Sequence, residues 1–143
     1  MHKIFHFLVL LTAACLGYTS CSTAVGPYKG KFKTKYIAKD AYVFFVIGDW
    51  GRNGEENQTE VAKSMKWCAE RIDPRFIIST GDNFYTYGVA SIDDPQWMSS
   101  YENIYKGNAL HIEWYPVLGN HDYLGNTQAQ IDYTKKSRRW VMP

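Results

Sequence analysis

Three times along this chain, an apolar run ends in a glycine that is followed at once by a polar side chain. The three motifs are Gly48-Asp49-Trp50-Gly51, Gly81-Asp82-Asn83-Phe84-Tyr85 and Gly119-Asn120-His121-Asp122. The runs before the first two are near-continuous in β-branched and aromatic residues, as in strands covered on both faces. Because ligands gather outside the carboxyl ends of parallel strands, the pattern predicts that the three motifs converge on one crevice.

The second motif offers two oxygen ligands within one turn. Asp82 directly follows the glycine, and Tyr85 comes three residues later. A carboxylate and a phenolate are hard oxygen donors, which suit a trivalent or a hard divalent metal ion. Glycine, aspartate and asparagine are also common turn residues for local reasons, so the repetition of the motif carries more weight than this copy of it.

The segments between the motifs predict an α/β fold with βαβ units. A first strand is predicted at 42–47 and a second at 75–80. Between them, Asn57-Gln58-Thr59-Glu60 has the form of a capping box, and the helix is predicted to run to Ile72, where Asp73-Pro74 stops it. Strand, helix and strand of these lengths predict a right-handed crossover.

The second half of the chain predicts two more helices and a third strand. Asp94-Pro95 is a helix entry, and Gly107 ends that helix. A strand is predicted around 112–118, and Pro116 makes part of it an edge or irregular. A last helix is predicted from Thr127 to Arg139, with a solvated cationic end. The predicted apolar face of the first of these helices comprises Trp97, Met98, Tyr101, Ile104 and Tyr105.

The first 40 residues are predicted to lie outside the fold. Residues 1–20 read as a secretory signal, because a short cationic start precedes an apolar core too short to span a bilayer. The small residues before Cys21 resemble the processing site of a bacterial lipoprotein, although Tyr18 replaces the usual aliphatic residue and leaves plain cleavage open. Residues 21–40 read as a linker carrying five lysines. Either route predicts an exported protein, which is periplasmic, secreted or attached to the membrane or cell surface through a lipidated Cys21.

The charge balance and the cysteine content bear on the partners that the protein could have and on the thiols in its fold. The chain has 16 basic and 14 acidic residues, a balance too even to argue for nucleic acid or another strongly charged partner, and no nucleic-acid partner is expected. With Cys15 and Cys21 in or beside the signal, Cys68 is the one thiol in the predicted fold. Its spacing from Val61, Met65 and Ile72 predicts a shared buried helical face. The sequence leaves the oligomeric state open.

The three motifs together resemble the first three motifs of the calcineurin-like metallophosphoesterases. More narrowly, they resemble the purple acid phosphatases of the tartrate-resistant type, because Tyr85 stands where that group has an iron-binding tyrosinate. The stretch from Gly119 to Trp140 is also similar to the mammalian-type enzyme. The resemblance covers residues from about Tyr42 onward, which implies that 41–143 form the N-terminal portion of a metallophosphoesterase α/β sandwich.

The resemblance implies a binuclear centre of Fe(III) and a divalent ion, which is iron, zinc or manganese. Asp49 and Tyr85 are then ligands of the ferric ion, Asp82 bridges the two metals and Asn120 binds the divalent ion. His121 is implied to be catalytic, stabilising the phosphoryl group or protonating the leaving oxygen. Two close cations clamp a phosphate and acidify a shared water.

The resemblance also implies acid phosphatase activity on small phosphorylated substrates. Asp122 is interpreted as orienting a neighbour rather than binding metal, and His111 as a surface or packing residue. Two alternatives stay open. One is another metallophosphoesterase, a phosphodiesterase or nucleotide phosphatase, and the other is an inactive, truncated, exported fragment.

The chain departs from the family pattern in its histidines. The family requires three further His ligands in later motifs, whereas the histidines here are His2, His6, His111 and His121. The chain is therefore expected to be an N-terminal portion with incomplete metal shells. Expressed alone, it is expected to hold metal weakly, and stoichiometric iron retained after dialysis would contradict this.

Overall fold

The computed structural model describes residues 40–143. The predicted signal, Cys21 and nearly all of the linker lie outside these residues. Three short strands form a parallel sheet in the order β1-β2-β3, with β1 at Phe45–Ile47, β2 at Phe76–Ser79 and β3 at Glu113–Pro116. Val46 pairs with Ile78, and Ile78 pairs with Tyr115. The predicted α/β class is confirmed and the strands are parallel as expected, although each strand is shorter than predicted.

Helix α1, Gln58–Ile72, joins β1 to β2. Its bounds match the prediction, and it ends at Asp73, whose N–H donates to the carbonyl of Ala69 just before Pro74. The predicted capping box is wrong: Asn57 has a φ of 66° and makes no side-chain cap. Instead, the Gln58 side chain accepts hydrogen bonds from the N–H groups of Arg52 and Gly54.

The buried face of α1 also differs from the predicted one. Val61 is 42% exposed, and Cys68 is only partly buried against the core. The buried positions are Gln58, Ala62, Met65, Ala69 and Ile72. This stripe has helical spacing but is rotated from the predicted one, with two alanines in place of Val61 and Cys68.

The predicted helix from Asp94 to Gly107 is a six-residue π-helix, Trp97–Glu102, entered through turn bonds at Asp94 and Pro95. Met98 is 50% exposed, so its predicted place in the core is wrong, whereas Trp97, Tyr101 and Tyr105 are buried. Wider π spacing moves Met98 away from the apolar side that 3.6-residue periodicity assigned to it.

The predicted last helix is also shorter than expected. Helix α2 spans Thr127–Asp132 and is followed by a 3-10 turn at Tyr133–Lys135. The Asn126 side chain caps it by accepting from the N–H of Ala129. Arg139, predicted to be solvated, is instead 4% exposed and forms a 2.6 Å ion pair with Glu102. This partly buried pair holds the final segment against the π-helix.

The core is largely aromatic. The indole of Trp50 packs against the rings of Phe84, Tyr105 and Trp114 at centroid distances of 5.3–5.5 Å. Trp140 adds an isolated bridge to Trp114 beside β3. Among residues 40–143, no helix has the length and apolar character needed to cross a membrane.

Candidate active site

The turns that follow the three strands meet at one edge of the sheet, as the sequence predicts. The N–H of Asp49 donates to the carbonyl of Gly81 over 3.2 Å, which joins the first two motifs. Gly119 joins the third, since a Cβ at that position would lie 2.2 Å from Oδ1 of Asp82. Only a residue without a side chain permits this approach of backbone to carboxylate.

Three of the predicted ligands converge on a single point. The phenol oxygen of Tyr85 donates to Oδ1 of Asp49 over 2.6 Å and lies 3.0 Å from Oδ2 of Asp82. Burial, and after it the hydrogen bonds to the two carboxylates, raises the pKa of the Tyr85 phenol above its ordinary value. The three oxygens therefore share one small volume, with the phenol hydrogen between them.

Both aspartates in this cluster have left-handed backbone conformations. The φ angle is 58° at Asp49 and 48° at Asp82. Residues other than glycine adopt this region at a cost of about 1–2 kcal/mol each. The surrounding structure imposes the cost at two adjoining turns, a pattern that strained residues show at functional sites.

His121 is attached to the same cluster through its backbone and its ring. Its N–H donates to Oδ1 of Asp82 over 2.9 Å, and its ring lies 4.4 Å from the ring of Tyr85, centroid to centroid. Nδ1 lies 2.7 Å from the carbonyl oxygen of Thr86. Because a carbonyl only accepts, Nδ1 carries a hydrogen in this contact. Nε2 is then the ring atom at which a proton is gained or lost.

Asn120 is the predicted ligand that the cluster does not include. Its side chain is exposed, and within residues 40–143 its amide makes none of the hydrogen bonds that join Asp49, Asp82 and Tyr85. It stands between Gly119, which packs against Asp82, and His121. Its position is at the edge of the cluster, and its role as a metal ligand stays a prediction.

Asp122 lies beneath the cluster and is fully buried. Its carboxylate accepts hydrogen bonds from the N–H groups of Asn83, Phe84 and Gly119 and from the side chain of Gln130. With both oxygens engaged by donors, Asp122 fastens the second and third motifs to each other. His111 is exposed, in agreement with its predicted surface position.

Sequence reasoning missed two side chains that shape the site. The guanidinium of Arg52 lies over the ring of Tyr85, 3.6 Å from its centroid. The buried amide of Asn83 donates to the carbonyl of Val117 and the side chain of Gln130. Arg52 could have been suspected of lying near the site, because it is a cation three residues after Asp49. Nothing in the sequence near Gln130 predicts its contact with Asn83.

The converging donors fit a hard cation. The part of the chain that the structure describes holds no group of three or more His, Cys, Asp or Glu side chains placed to bind a metal. The cluster consists instead of two carboxylates and a phenol. Such an all-oxygen set suits a hard, highly charged ion, and a cation would replace the phenol hydrogen that now lies between the carboxylates.

The fold and the site described above define the class of protein to which the chain belongs. A sequence profile described as calcineurin-like phosphoesterase matches residues 42–143, and the chain belongs to that family. Within the family, the chain is similar to purple acid phosphatases, as the motifs indicate. It is 49% identical to purple acid phosphatase 3 of Arabidopsis thaliana over 100 residues, covering 68% of this chain and 27% of that protein.

Animal relatives and a solved structure agree with this placement. The chain is 38% identical to the human (Homo sapiens) tartrate-resistant acid phosphatase type 5 over 114 residues, covering 74% of this chain and 34% of that protein. The structure titled "GAP50 the anchor in the inner membrane complex of Plasmodium" aligns with a TM-score of 0.62 and 32% identity, covering 70% of this chain and 33% of the other. The chain thus spans about a third or less of these relatives.

Proposed function

We propose that this chain supplies the N-terminal part of a metal-dependent acid phosphatase that hydrolyses phosphate monoesters. One observation carries the proposal: the phenol oxygen of Tyr85 meets the carboxylates of both Asp49 and Asp82 at distances of 2.6 and 3.0 Å. A turn that served only to connect strand and helix has no need to bring two acidic groups and a phenol together. The similarity to purple acid phosphatases supports the same activity.

In this proposal the cluster holds a ferric ion beside a divalent iron, zinc or manganese ion. Asp49 and Tyr85 would hold the ferric ion, Asp82 would serve both metals, and Asn120 would contribute its amide oxygen to the divalent ion. When bound, such a pair supplies Lewis-acid polarisation of the phosphate and an acidified water. The contacts of Asp122 and Gly119, which hold the second and third motifs together, support this assignment.

His121 supplies the proton for the leaving group in this proposal. Its Nδ1 hydrogen is engaged by the carbonyl of Thr86, so Nε2 is the atom that faces a change of protonation. The contacts with Thr86, Asp82 and the Tyr85 ring limit the movement of the imidazole. A general acid held in this way can deliver its proton to a phosphate ester oxygen without losing its orientation.

Activity and metal content test this proposal together. The polypeptide encoded by the complete reading frame is assayed with p-nitrophenyl phosphate at acid pH, and its bound metals are measured. We expect hydrolysis with iron present, a loss of activity in Asp82→Asn and a large fall in kcat in His121→Gln. A metal-free protein with no hydrolysis by the unmodified chain would refute the proposal.

A phosphodiesterase or nucleotide phosphatase is the competing enzyme, and the phenol distinguishes the two. A ferric ion bound by the Tyr85 phenolate gives a charge-transfer band in the visible spectrum. We expect that band in the iron-loaded protein and its absence in Tyr85→Phe. A matched Tyr87→Phe variant, which alters an exposed neighbouring tyrosine, should retain it.

A non-catalytic anchoring function is the second candidate. It is favoured by the similarity to the Plasmodium protein whose title describes an anchor. The two candidates differ in the effect of Asp82→Asn. The variant should abolish phosphatase activity if the protein is an enzyme, whereas an anchor should tolerate it without loss of function.

The protein is further proposed to be exported and to act on small phosphorylated substrates, without a nucleic-acid partner. Cys21 is the proposed lipid attachment site, which would tether the domain through the lysine-rich linker. Incorporation of labelled palmitate, abolished in Cys21→Ser but retained in Cys15→Ser, tests this. Release of an unlabelled chain into the medium would support plain signal cleavage instead.

A further inference from the structure

We infer that Arg52 is a positioning residue that holds the ring of Tyr85 in the orientation in which its phenol reaches both aspartates. The inference deepens the proposed function, on which its chemical purpose rests, but its geometry is independent of metal and of activity. Three sets of contacts in the described structure support it. The guanidinium of Arg52 stacks on the ring of Tyr85, the same guanidinium pairs with a carboxylate, and hydrogen bonds hold the backbones of the two loops.

The first contact is between the guanidinium and the ring itself. The Arg52 Cζ atom lies 3.6 Å from the Tyr85 centroid, which is stacking distance. A planar cation over an aromatic face is attracted by the ring quadrupole, and arginine stacks in this way better than lysine does. The contact constrains rotation of the ring about its own side-chain bonds.

The second contact engages the guanidinium from another side. Arg52 Nη1 lies 2.8 Å from a carboxylate oxygen of Glu56, four residues further along the chain in the turn that precedes α1. An arginine already engaged by a carboxylate on one side and a ring on the other is poorly placed to capture a substrate phosphate. The pairing therefore favours an orienting function over an anion-binding one.

The third contact locks the two loops that carry Arg52 and Tyr85. The N–H of Tyr85 donates to the carbonyl of Gly51 over 2.8 Å, and the N–H of Arg52 donates to the side chain of Gln58 over 3.0 Å. Since both backbones are fixed, the remaining freedom of Tyr85 lies in its side chain. The two aspartates hold the phenol end of this side chain, and Arg52 and the His121 ring, 4.4 Å from that of Tyr85, contact the ring itself.

The consequence for the site follows from the position of the phenol oxygen. It must lie within hydrogen-bond distance of Asp49 and Asp82 at once, and a modest rotation of the ring breaks one of these contacts. Arg52 acts on the ligand cluster through Tyr85. In the proposed enzyme, loss of Arg52 should therefore weaken retention of the ferric ion and shift the charge-transfer band, while leaving Asp49 and Asp82 in place.

The test measures the ring geometry without metal. In the 143-residue chain, cross-peaks between the ring protons of Tyr85 and His121 are recorded by NMR and assigned with His121→Gln. We expect these cross-peaks in the unmodified chain and their loss in Arg52→Met, which keeps the aliphatic bulk but removes the guanidinium. Arg71→Met is the matched control, because Arg71 stacks on the ring of Trp67 at 3.8 Å, on the exposed side of α1. It should leave the cross-peaks unchanged.

Arg52→Lys keeps the charge and serves where Arg52→Met does not fold, as judged by the dispersion of the indole signals. It should weaken the same cross-peaks, since a lysine does not stack as a plane. Cross-peaks of unmodified strength in a folded Arg52 variant would overturn the inference. That result would leave the proposed phosphatase activity untouched, and a lack of activity in the unmodified protein would in turn leave this geometry standing.

Discussion

Replacing Asp122 by asparagine should destabilise the fold much more than its single-atom change suggests. Oδ2 of Asp122 accepts from the N–H of Gly119 over 2.8 Å and from the side-chain amide of Asn83 over 3.2 Å. Oδ1 accepts from the N–H of Phe84 and the side chain of Gln130 over 3.2 and 2.9 Å. An asparagine offers only one acceptor oxygen, so its NH₂ group must face donors at the other position.

The magnitude follows from the donor that loses its partner. If the amide oxygen takes the Oδ1 position, the N–H of Gly119 loses its acceptor, whereas the amide of Asn83 keeps its bonds to the carbonyl of Val117 and the side chain of Gln130. A buried unsatisfied donor costs about 1–3 kcal/mol. This is a substantial part of the roughly 5–15 kcal/mol by which a domain is stable.

Urea unfolding followed by tryptophan fluorescence measures this loss. With a denaturant slope of about 1–3 kcal/mol per molar for a small domain, the midpoint should fall by about 1 M. Asp132→Asn is the matched control, since Asp132 is a solvent-facing carboxylate paired with Lys135. The control should leave the midpoint almost unchanged. Equal midpoints for the two variants would refute the reasoning that Asp122 fastens the second and third motifs.

Three further predictions concern parts of the fold away from Asp122. Glu102→Gln removes the carboxylate from a partly buried ion pair, while the guanidinium of Arg139 keeps two backbone carbonyl partners. It should lower the free energy of unfolding by about 1–3 kcal/mol, and an unchanged thermal unfolding curve would contradict this. Gly51→Ala places a Cβ 1.9 Å from the carbonyl oxygen of Asn83. The resulting strain should lower the free energy of unfolding by about 1–3 kcal/mol or more. An unchanged melting temperature would show that the turn can rearrange without cost. Burial raises the pKa of the Cys68 thiol, and the nearby charge of Arg71 partly offsets this rise. Because the thiolate is the reactive form, alkylation of Cys68 at pH 8 should be slower in the folded chain than in urea. Equal alkylation rates, measured by peptide mapping, would show that the thiol is not shielded.

The sequence predicted the parts of the fold that local pattern controls. Glycine after an apolar run marked the ends of all three strands, and the parallel order brought Asp49, Asp82 and Tyr85 together. The stop of α1 at Asp73 was equally readable, because a proline follows it. In each case the deciding interaction lies within a few residues of the signal.

The errors share a different cause, which is packing between distant segments. Arg139 lies in a cationic stretch of sequence that is typical of a solvated helix end. Its ion pair with Glu102, 37 residues earlier, holds it in the interior instead. The Asn57 cap fails because Gln58 already binds the loop before it and the carbonyl of Ser100. The stack of Arg52 on Tyr85 likewise joins two motifs. None of these partners can be chosen from spacing alone.

The contacts of Trp50 hold the backbone beside Asp49 in position without the help of a bound ion. The indole N–H donates to the Ser79 hydroxyl over 2.8 Å, and that hydroxyl donates to the Asn83 side chain. The ring itself lies among the large aromatic side chains of the interior. Neighbouring residues thus face opposite ways, one into the hydrophobic interior and the other toward the ligand cluster. Substitutions that repack the interior around Trp50 are therefore expected to move Asp49 as well, so the packing of this core and the geometry of the cluster of Asp49, Asp82 and Tyr85 are coupled.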